Sequence, residues 1–316
     1  MAATADSLRT SSVDKAETAA ELLAAEWKAR IDERLLELFE RYCGHSDVCP
    51  RLAGAMRYGL ITPGKRVRPL LCLMAAIDLG ADPEPLLDFG CALEMVHSAS
   101  LMLDDLPCMD DARLRRGQPA AHLKFGDAIT TLAAVGLLNQ AYGVVARAKA
   151  PQAGLSVELV ARLSDAVGTA GLVSGQSRDL CERRSEIDCG QMIRINRQKT
   201  AVLFELAVIA GGLHAGIGGT RLVALNRFAC QVGLAFQTAD DLLDCPGDSP
   251  GDSMDSGKDA GLDAGKSGSV HAVGAGVLRR RLNQELTEAR RVLSQLGVEK
   301  SMLTQYVEAL FQRHLT

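Results

Sequence analysis

Aromatic residues are scarce in this sequence, which has one Trp, four Tyr and seven Phe among 316 residues. Alternating runs of Val, Ile and Thr, which mark half-buried strands, are also very few. Long stretches rich in Ala and Leu take their place, and these residues favour helices. The composition therefore predicts an all-α protein.

Several features that would indicate other classes of protein are missing. The 35 basic and 39 acidic residues are mixed along the chain and give a net charge of −4, so no basic tract proposes nucleic acid as a partner. The nine cysteines form no CxxC pair, which fits a reducing, cytoplasmic compartment better than disulfides or zinc. The sequence has no GxxxxGK[ST] nucleotide loop, and no Ser/His/Asp or Cys/His arrangement proposes a covalent nucleophile.

No segment is predicted to span a membrane or to direct export. The two most apolar windows, Ala128 to Ala146 and Ala201 to Gly219, contain polar residues and are predicted to be buried core helices. Residues 1–18 carry acids and lack an apolar stretch, so we expect a loose leader rather than a signal or transit peptide. Residues 19–316 contain no linker strong enough to divide them, and we expect one domain there.

Apolar residues recur at intervals of three and four along most of the chain, as on the buried face of a helix. Helices are predicted from Ala16 to Tyr42, Leu52 to Leu60, Leu86 onward, Ala128 to Ala146, Leu155 to Gln176 and Leu278 to Leu315. The segment 245–270 is rich in Gly, Asp and Ser and is predicted to be a flexible loop. It is either plainly disordered or a flap that delivers Lys258 to a bound phosphate.

The densest group of charges lies in residues 95–117, which read MVHSASLMLDDLPCMDDARLRRG. Carboxylates this close repel one another, and a divalent cation would neutralise them. His97 lies seven positions before Asp104 and therefore on nearly the same helical face. Pro107 predicts a break that would bring Asp104 and Asp110 to one ion. The alternative is a solvated acidic helix end followed by a basic one.

A second acidic group lies in FQTADDLLD, whose polar residues share one helical stripe: Gln237, Asp240, Asp241 and Asp244. Like charges four residues apart destabilise an isolated helix by about 0.2–0.5 kcal/mol. An acidic stripe in an apolar region therefore indicates a bound cation. Mg²⁺ commonly takes one or two carboxylates plus phosphate oxygens and water. Two such stripes predict a cavity in which Mg²⁺ holds a diphosphate.

Cationic residues at two further places are candidate anion ligands, and a third segment carries polar residues next to an apolar helix. The turn GKRVRP carries Lys65, Arg66 and Arg68 before an apolar helix, which suits a phosphate ligand or is a solvated basic turn. Lys199, with Thr200 beside it, heads a very apolar helix and either reaches solvent or enters a cavity. In LVSGQSRDL, the polar residues either line a cavity or cap a helix, and these are Gln176 and Asp179.

These segments resemble the trans-isoprenyl diphosphate synthases, specifically the geranylgeranyl diphosphate synthases of bacterial carotenoid pathways. The matching pieces extend from about Leu52 to Lys266 and are GKRVRP, EMVHSASLMLDDLPCMDDARLRRGQPAAHLKFG, LVSGQSRDL, RQKTAVLF, FQTADDLLD and GKDAGLDAGKS. The resemblance implies antiparallel helices around a central cavity, and usually a homodimer. It also implies condensation of isopentenyl diphosphate with an allylic diphosphate, dependent on Mg²⁺.

The resemblance assigns roles to individual residues. The motif DDxxxxD is Asp104, Asp105 and Asp110, and the motif DDxxD is Asp240, Asp241 and Asp244. About three Mg²⁺ ions per site are implied, with the ligands Asp104, Asp110, Asp240 and Asp244. The implied contacts of the allylic diphosphate are Arg115, Lys199, Thr200, Gln237 and Lys258. The implied contacts of isopentenyl diphosphate are Lys65, Arg68, His97 and Arg116.

The implied product follows from the residues before the first motif, where bulk stops chain growth in this family. Ala99 and Ser100 are small, which favours a product longer than the fifteen-carbon one, and geranylgeranyl diphosphate is expected. A farnesyl or a longer-chain synthase is the nearest alternative. A non-catalytic subunit would have degraded motifs, a terpene cyclase would lack the full second motif, and a di-iron bundle would need ExxH pairs.

Overall fold

The computed structural model describes residues 18–149, 152–182, 188–243, 274–298 and 301–315. Within these ranges the chain is helical apart from turns and one short hairpin, which confirms the predicted all-α class. Four predicted features lie outside the described residues: the leader up to residue 17, the loop 245–270, Asp244 and Lys258.

The described helices follow one another with short connections. They are α1 (Ala19–Cys43), α2 (Pro50–Ile61), α3 (Val67–Asp78), α4 (Leu87–Asp104), α5 (Ala121–Phe125), α6 (Asp127–Arg147), α7 (Leu155–Val167), α8 (Leu172–Cys181), α9 (Cys189–Asn196), α10 (Val202–His214), α11 (Gly219–Leu243), α12 (Ala275–Gln295) and α13 (Met302–Leu315). A 3₁₀ turn (Glu84–Leu86) precedes α4, and a π-helical segment (Arg197–Ala201) joins α9 to α10. The hairpin strands are β1 (Leu114–Arg115) and β2 (Gln118–Pro119).

Helix α1 shows how the sequence determines a boundary and a buried face. Thr18 accepts a hydrogen bond from the Glu21 amide and Glu21 caps the Thr18 amide in return, which satisfies two groups at the helix start. Trp27, Ile31 and Leu35 then recur every four residues and are buried. The opposite side of the helix carries the charged residues.

Helices α3, α4 and α10 form the centre of the molecule because apolar residues surround most of their circumference. α4 packs mainly on α6, while α10 packs on α3 and α11, and α11 packs on α12. The C-terminal end of α4 carries the first aspartate motif, and α11 carries the second. The packing of α10 between α3 and α11 therefore connects the basic turn with the second motif.

Two helices predicted to be continuous are interrupted, so those predictions were wrong in extent. The segment from Leu155 to Gln176 divides into α7 and α8: α7 ends at Val167 with Gly168 as its cap, and Gly171, which packs against the carbonyl oxygen of Ala166, precedes α8. The segment from Leu278 to Leu315 divides into α12 and α13 near Gly297, whose φ is 75°. Apolar periodicity continues across each break. The glycine nevertheless allows a backbone conformation that ends the helix.

Among the described residues, two helical stretches are long and apolar enough to cross a membrane by length and composition. The first, Glu84–Asp104, has 72% of its most apolar window buried inside the protein, as expected for a core helix. The second, Asp127–Arg147, has 39% of its window buried. Helix α6 therefore presents apolar side chains at the surface, where Leu132 and Val135 are more than half exposed.

Candidate active site

The first aspartate motif lies where α4 ends. The helix stops at Asp104, and the chain turns back so that the Asp110 amide donates to the Asp104 carbonyl oxygen at 2.9 Å. The Asp111 amide closes the same turn on the Leu106 carbonyl oxygen at 3.0 Å. The break predicted from Pro107 is confirmed, and it brings the two aspartates together although six positions separate them.

The adjacent aspartates of this motif have different surroundings. Asp105 is buried and paired with Arg115, whose Nε–H donates to both carboxylate oxygens at 3.1 and 3.2 Å. Asp104 has no ion pair within the described chain, and burial raises its pKa to about 6. The nearby carboxylate of Asp110 raises that pKa further, while the charge of Lys199 opposes the rise. Asp104 is thus a carboxylate that a cation would stabilise.

Lys199 lies close to this motif although it is distant in sequence. Its ammonium donates to Asp179 Oδ2 at 2.7 Å, and the side chain is three-quarters buried. Burial favours the neutral amine, yet the pKa of Lys199 is raised because Asp179 and both aspartates of the turn surround it. Of the two predicted positions for this lysine, the structure supports the one inside the site. Asp179 is its direct partner rather than a helix cap.

Two glycines allow the π-helical segment to approach its neighbours closely. A Cβ atom on Gly175 of α8 would lie 2.4 Å from the Lys199 amide nitrogen. A Cβ atom on Gly233 of α11 would lie 2.5 Å from Cα of Ala201. Backbone therefore packs against backbone on both sides of the segment, and Lys199 and its neighbours are held between α8 and α11. Such π-helical turns are frequent at functional sites.

Hydrogen bonds continue from this segment to the second aspartate motif. The Thr200 hydroxyl donates to Gln237 Oε1 at 2.8 Å, and Gln237 Nε2 donates to Asp241 Oδ1 at 3.0 Å. Because Thr200 follows Lys199, whose charge acts on Asp104 and Asp110, this one segment interacts with both acidic groups. The structure therefore brings together predicted residues from two distant segments, Lys199 and Thr200 from one and Gln237 and Asp241 from the other.

Arg68 lies on another side of the same region and is buried at the start of α3. Its guanidinium lies 4.8 Å from the centre of the Phe204 ring, and its Nε has no hydrogen-bond partner within the described chain. Burial lowers the pKa of Arg68 to about 10, although the charges of Glu94 and Asp240 oppose the change. A buried guanidinium with an unused donor is suited to an anionic ligand.

The side chains of Arg115 and Arg116 point in different directions because Arg115 ends strand β1 and Arg116 begins the tight turn of the hairpin. Arg116 and Gly117 form its two-residue loop with φ values of 52° and 73°, as a type I′ turn requires. Arg115 points to Asp105, whereas Arg116 donates to the carbonyl oxygen of Thr62 at 3.2 Å. Its guanidinium packs on Gly64, where a Cβ atom would lie 2.9 Å from Nη1.

His97 lies among these cations on α4. Burial lowers the pKa of His97 well below its usual value, and the charges of Arg68 and Arg116 lower it further. The ring is therefore neutral near pH 7 and offers one N–H donor and one acceptor. Lys65, the remaining predicted cation of this group, is exposed at the end of the basic turn.

Left-handed backbone is concentrated around these motifs. Within the described chain, the non-glycine residues with positive φ are Arg66, Asp111 and Arg116, at 51°, 49° and 52°. Such backbone costs about 1–3 kcal/mol per residue and persists where surrounding contacts determine it. Each of the three positions adjoins a predicted ligand residue, so the strain coincides with the site.

The two predicted chain-length residues have different positions on α4. Ser100 is half-buried and lies four residues before Asp104, on its helical face, with its hydroxyl bonded to the His97 carbonyl oxygen at 2.9 Å. Ala99 is fully buried and lies about 140° around the helix from Asp104. Ser100 is therefore the better placed of the two to adjoin a chain that extends below the first motif.

Sequence reasoning missed Glu94 in this region. Glu94 is buried three positions before His97 and pairs with Arg66 of the basic turn. Gln176, for which the sequence predicts either a cavity-lining or a capping position, is buried with Nε2 3.9 Å from the sulfur of Met109. Its position beside the turn of the first motif shows that it lines this region. For Glu94, the sequence signal was its position in EMVH, three residues before His97 and therefore close to it on the helix.

The donor set fits Mg²⁺. Carboxylate oxygens are hard ligands, and burial, which raises the pKa of Asp104, leaves a carboxylate there that a bound cation would stabilise. Among the described residues, no three His, Cys, Asp or Glu side chains form a complete metal cluster. Mg²⁺ binding through one or two carboxylates plus phosphate oxygens needs no such cluster. Asp104 and Asp110 on one helix end and Asp240 on α11 are suited to that mode.

Comparisons with known proteins agree with this arrangement. The polyprenyl synthetase family matches residues 49–297. The sequence is 40% identical over 299 residues to a geranylgeranyl diphosphate synthase of Pantoea ananas, covering 94% of each chain. It is 38% identical over 234 residues to a farnesyl diphosphate synthase of Geobacillus stearothermophilus, covering 73% of this chain and 77% of that one.

The fold is likewise similar to solved structures. One is a geranyltransferase from Helicobacter pylori complexed with magnesium and isoprenyl diphosphate, with a TM-score of 0.82 and 25% sequence identity. The similarity covers 95% of this chain and 98% of that chain. Another is an FPP/GFPP synthase from Zymomonas mobilis, with a TM-score of 0.77 and 30% identity over 90% of this chain and 99% of that chain.

Proposed function

Because this chain belongs to the polyprenyl synthetase family, we propose that it condenses isopentenyl diphosphate with allylic diphosphates to make geranylgeranyl diphosphate. The observation that carries the proposal is that one segment serves both aspartate motifs: the charge of Lys199 acts on Asp104 and Asp110, and Thr200 reaches the second motif through Gln237. A separate cationic group around Arg68 faces the same region. One site with two anion-binding parts suits two diphosphate substrates.

The allylic diphosphate would bind between the two aspartate motifs. Lys199, which stays cationic because carboxylates surround it, would balance the negative charge of the leaving diphosphate. Thr200 and Gln237 would orient that group, and Arg115 would be held for it by Asp105. By resemblance the remaining ligands are Asp241, Asp244 and Lys258, of which the last two lie outside the described residues.

Isopentenyl diphosphate would bind the cationic group on the other side. Arg68 would offer its unused Nε–H donor, and Arg116 would add a second guanidinium held by the carbonyl of Thr62. Lys65 would approach from the exposed end of the turn, and neutral His97 would donate a hydrogen bond without adding charge. These groups would hold the homoallylic double bond near the carbon that loses diphosphate.

The reaction would proceed by loss of the allylic diphosphate, attack of the isopentenyl double bond on the resulting carbocation, and loss of a proton to the departed diphosphate. The chain's cations would hold that diphosphate in place as base. Apolar walls would exclude water from the cation. About three Mg²⁺ ions, held by Asp104, Asp110, Asp240 and Asp244, would supply neutralisation of the diphosphate charge.

A twenty-carbon product is proposed because small residues precede the first motif and Ser100 lies on the helical face of Asp104. The named relatives include both geranylgeranyl and farnesyl diphosphate synthases, so a fifteen-carbon product is the second candidate. The specific observation for the longer product is the absence of bulk at Ala99 and Ser100. A non-catalytic subunit is disfavoured because both aspartate motifs are intact in sequence.

We further propose that the enzyme is a cytoplasmic homodimer. Helix α6 is as apolar as a membrane span, yet Leu132 and Val135 on it are 56% and 53% exposed. Leu123 on the adjacent α5 is also exposed, at 53%. A second copy packed on this face would remove these side chains from water.

An assay of the condensation reaction with variants of the two aspartate motifs tests the proposal. Asp104→Ala and Asp240→Ala should each lower turnover by about a hundredfold or more, because each removes a carboxylate from one of the two acidic groups. Radiolabelled isopentenyl diphosphate with farnesyl diphosphate as starter gives the measurement. Full turnover in both variants would contradict the two-motif site.

A further inference from the structure

Arg66 differs from the other cations of the GKRVRP turn in where its side chain lies. The side chain is 2% exposed, and its guanidinium donates to Asp32 Oδ1 at 2.7 Å and to Glu94 Oε1 at 2.8 Å. Its Nη2 also donates to the carbonyl oxygens of Leu60 and Thr62 at 3.4 and 3.2 Å. One side chain therefore joins α1, the end of α2, the basic turn and α4.

The backbone of Arg66 explains why neighbouring cations point apart. Its φ of 51° places it in the left-handed region immediately before α3. That conformation turns the chain between Lys65, which is exposed, and Arg68, whose charge acts on His97. Left-handed backbone is unfavourable for a residue with a Cβ atom and persists where contacts hold it. Four hydrogen-bonding partners hold it here.

Glu94 connects this anchor to the helix that carries His97. It lies three residues before His97 on α4, and its side chain is 2% exposed in contact with Arg66. The distance between the basic turn and His97 therefore depends on the Arg66–Glu94 pair. Asp32, on α1, fixes the same guanidinium from a second direction and remains partly exposed.

We infer that Arg66 is a positioning residue for the isopentenyl diphosphate site. Its contacts with Asp32 and Glu94 fix where the turn presents Lys65 and Arg68 relative to His97. The charge of Arg66 is already paired with two carboxylates. What the site requires of Arg66 is therefore the forked shape of its guanidinium group, which contacts all of its partners at once. This inference rests on the proposed function, which assigns Lys65 and Arg68 to the diphosphate of isopentenyl diphosphate.

The test is the replacement Arg66→Lys, which keeps the charge but cannot form the four contacts together. The Michaelis constant for isopentenyl diphosphate should rise about tenfold, while that for the allylic diphosphate stays within about twofold, because misplacement affects one subsite. Asp32→Asn is the milder second variant, since Asp32 is partly exposed. It should raise the same constant about threefold and decides the question if Arg66→Lys does not fold.

A matched control is available in the same pair of helices. Arg34 on α1 pairs with Asp88 on α4 through Nε and Oδ1 at 2.7 Å, away from the basic turn. Arg34→Lys should leave both Michaelis constants unchanged, whatever it does to the melting temperature. The inference is overturned if the folded Arg66 and Asp32 variants keep the constant for isopentenyl diphosphate, or raise both constants together. A wild-type protein without condensation activity would instead contradict the proposed function.

Discussion

The Asp110 amide donates a 2.9 Å hydrogen bond to the carbonyl oxygen of Asp104. Two carboxylates six positions apart thereby lie in one turn, next to Lys199, whose pKa their charges help to raise. On a continuing helix Asp110 would point away from Asp104. The turn after α4 therefore places these two carboxylates side by side, as the proposed Mg²⁺ site requires.

The turn supplies its own control for the role of Asp110. Asp110→Asn should lower turnover by about a hundredfold, because an amide is a poorer Mg²⁺ ligand than a carboxylate. Asp111→Asn should change turnover less than about threefold, since Asp111 is exposed and Asn tolerates its φ of 49°. Steady-state rates at saturating substrates give the comparison. Equal losses in both variants would show that the turn, rather than the Asp110 carboxylate, matters.

Product length should respond to bulk at Ser100. Ser100→Phe would fill space on the face of α4 that carries Asp104, so the fifteen-carbon product should replace the twenty-carbon one. Ser100→Ala removes the hydroxyl without adding bulk and should leave the product unchanged. Ala99→Phe should also shorten the product, but at a cost of about 1–3 kcal/mol in stability because Ala99 is fully buried. A twenty-carbon product from Ser100→Phe, measured by radiolabelled elongation, would contradict this placement.

His97 should not titrate in the physiological range. Burial and the neighbouring arginines lower its pKa. The ring therefore gains a proton only at a pH well below the usual pKa of histidine, and it is neutral at higher pH. The kcat/KM for isopentenyl diphosphate should therefore show no inflection from His97 between pH 6 and 8, within about twofold. His97→Gln, another neutral donor, should give a profile of the same shape. An inflection near pH 6.5 that disappears in His97→Gln would refute a neutral ring.

The exposed apolar face of α6 should be a dimer contact. Leu132→Glu combined with Val135→Glu should convert the protein from dimer to monomer, because buried unpaired charges oppose association. Val157→Glu on α7 is the control, since Val157 is 75% exposed on a different helix. Light scattering after size-exclusion chromatography reports the mass. A wild-type monomer, or a double variant that remains dimeric, would exclude this interface.

The sequence predicted the fold class and the main pairing in the site for physical reasons. Apolar periodicity and scarce aromatics predicted helices, and Pro107 predicted the break that unites Asp104 with Asp110. Periodicity failed at Gly168 and Gly297, because apolar spacing continues across a glycine that ends a helix. In those places the backbone requirement of one residue outweighs the pattern of its neighbours.

Other features depend on contacts between distant segments and were not predicted. Lys199 and Asp179 pair across two segments whose backbones approach closely at Gly175, where a Cβ atom would clash. The inward direction of Arg66 depends on carboxylates 34 and 28 positions away, at Asp32 and Glu94. No local pattern distinguishes that arginine from the other cations of its turn.

Product analysis of the purified protein tests the central claim most directly. The protein would be incubated with Mg²⁺, isopentenyl diphosphate and, in turn, dimethylallyl, geranyl and farnesyl diphosphate, and the products separated by chain length. The account predicts that geranylgeranyl diphosphate accumulates from every starter that is used, and that a chelator of Mg²⁺ abolishes the reaction. Accumulation of a fifteen-carbon or a much longer product would contradict the proposed specificity, and absence of condensation would contradict the proposed activity.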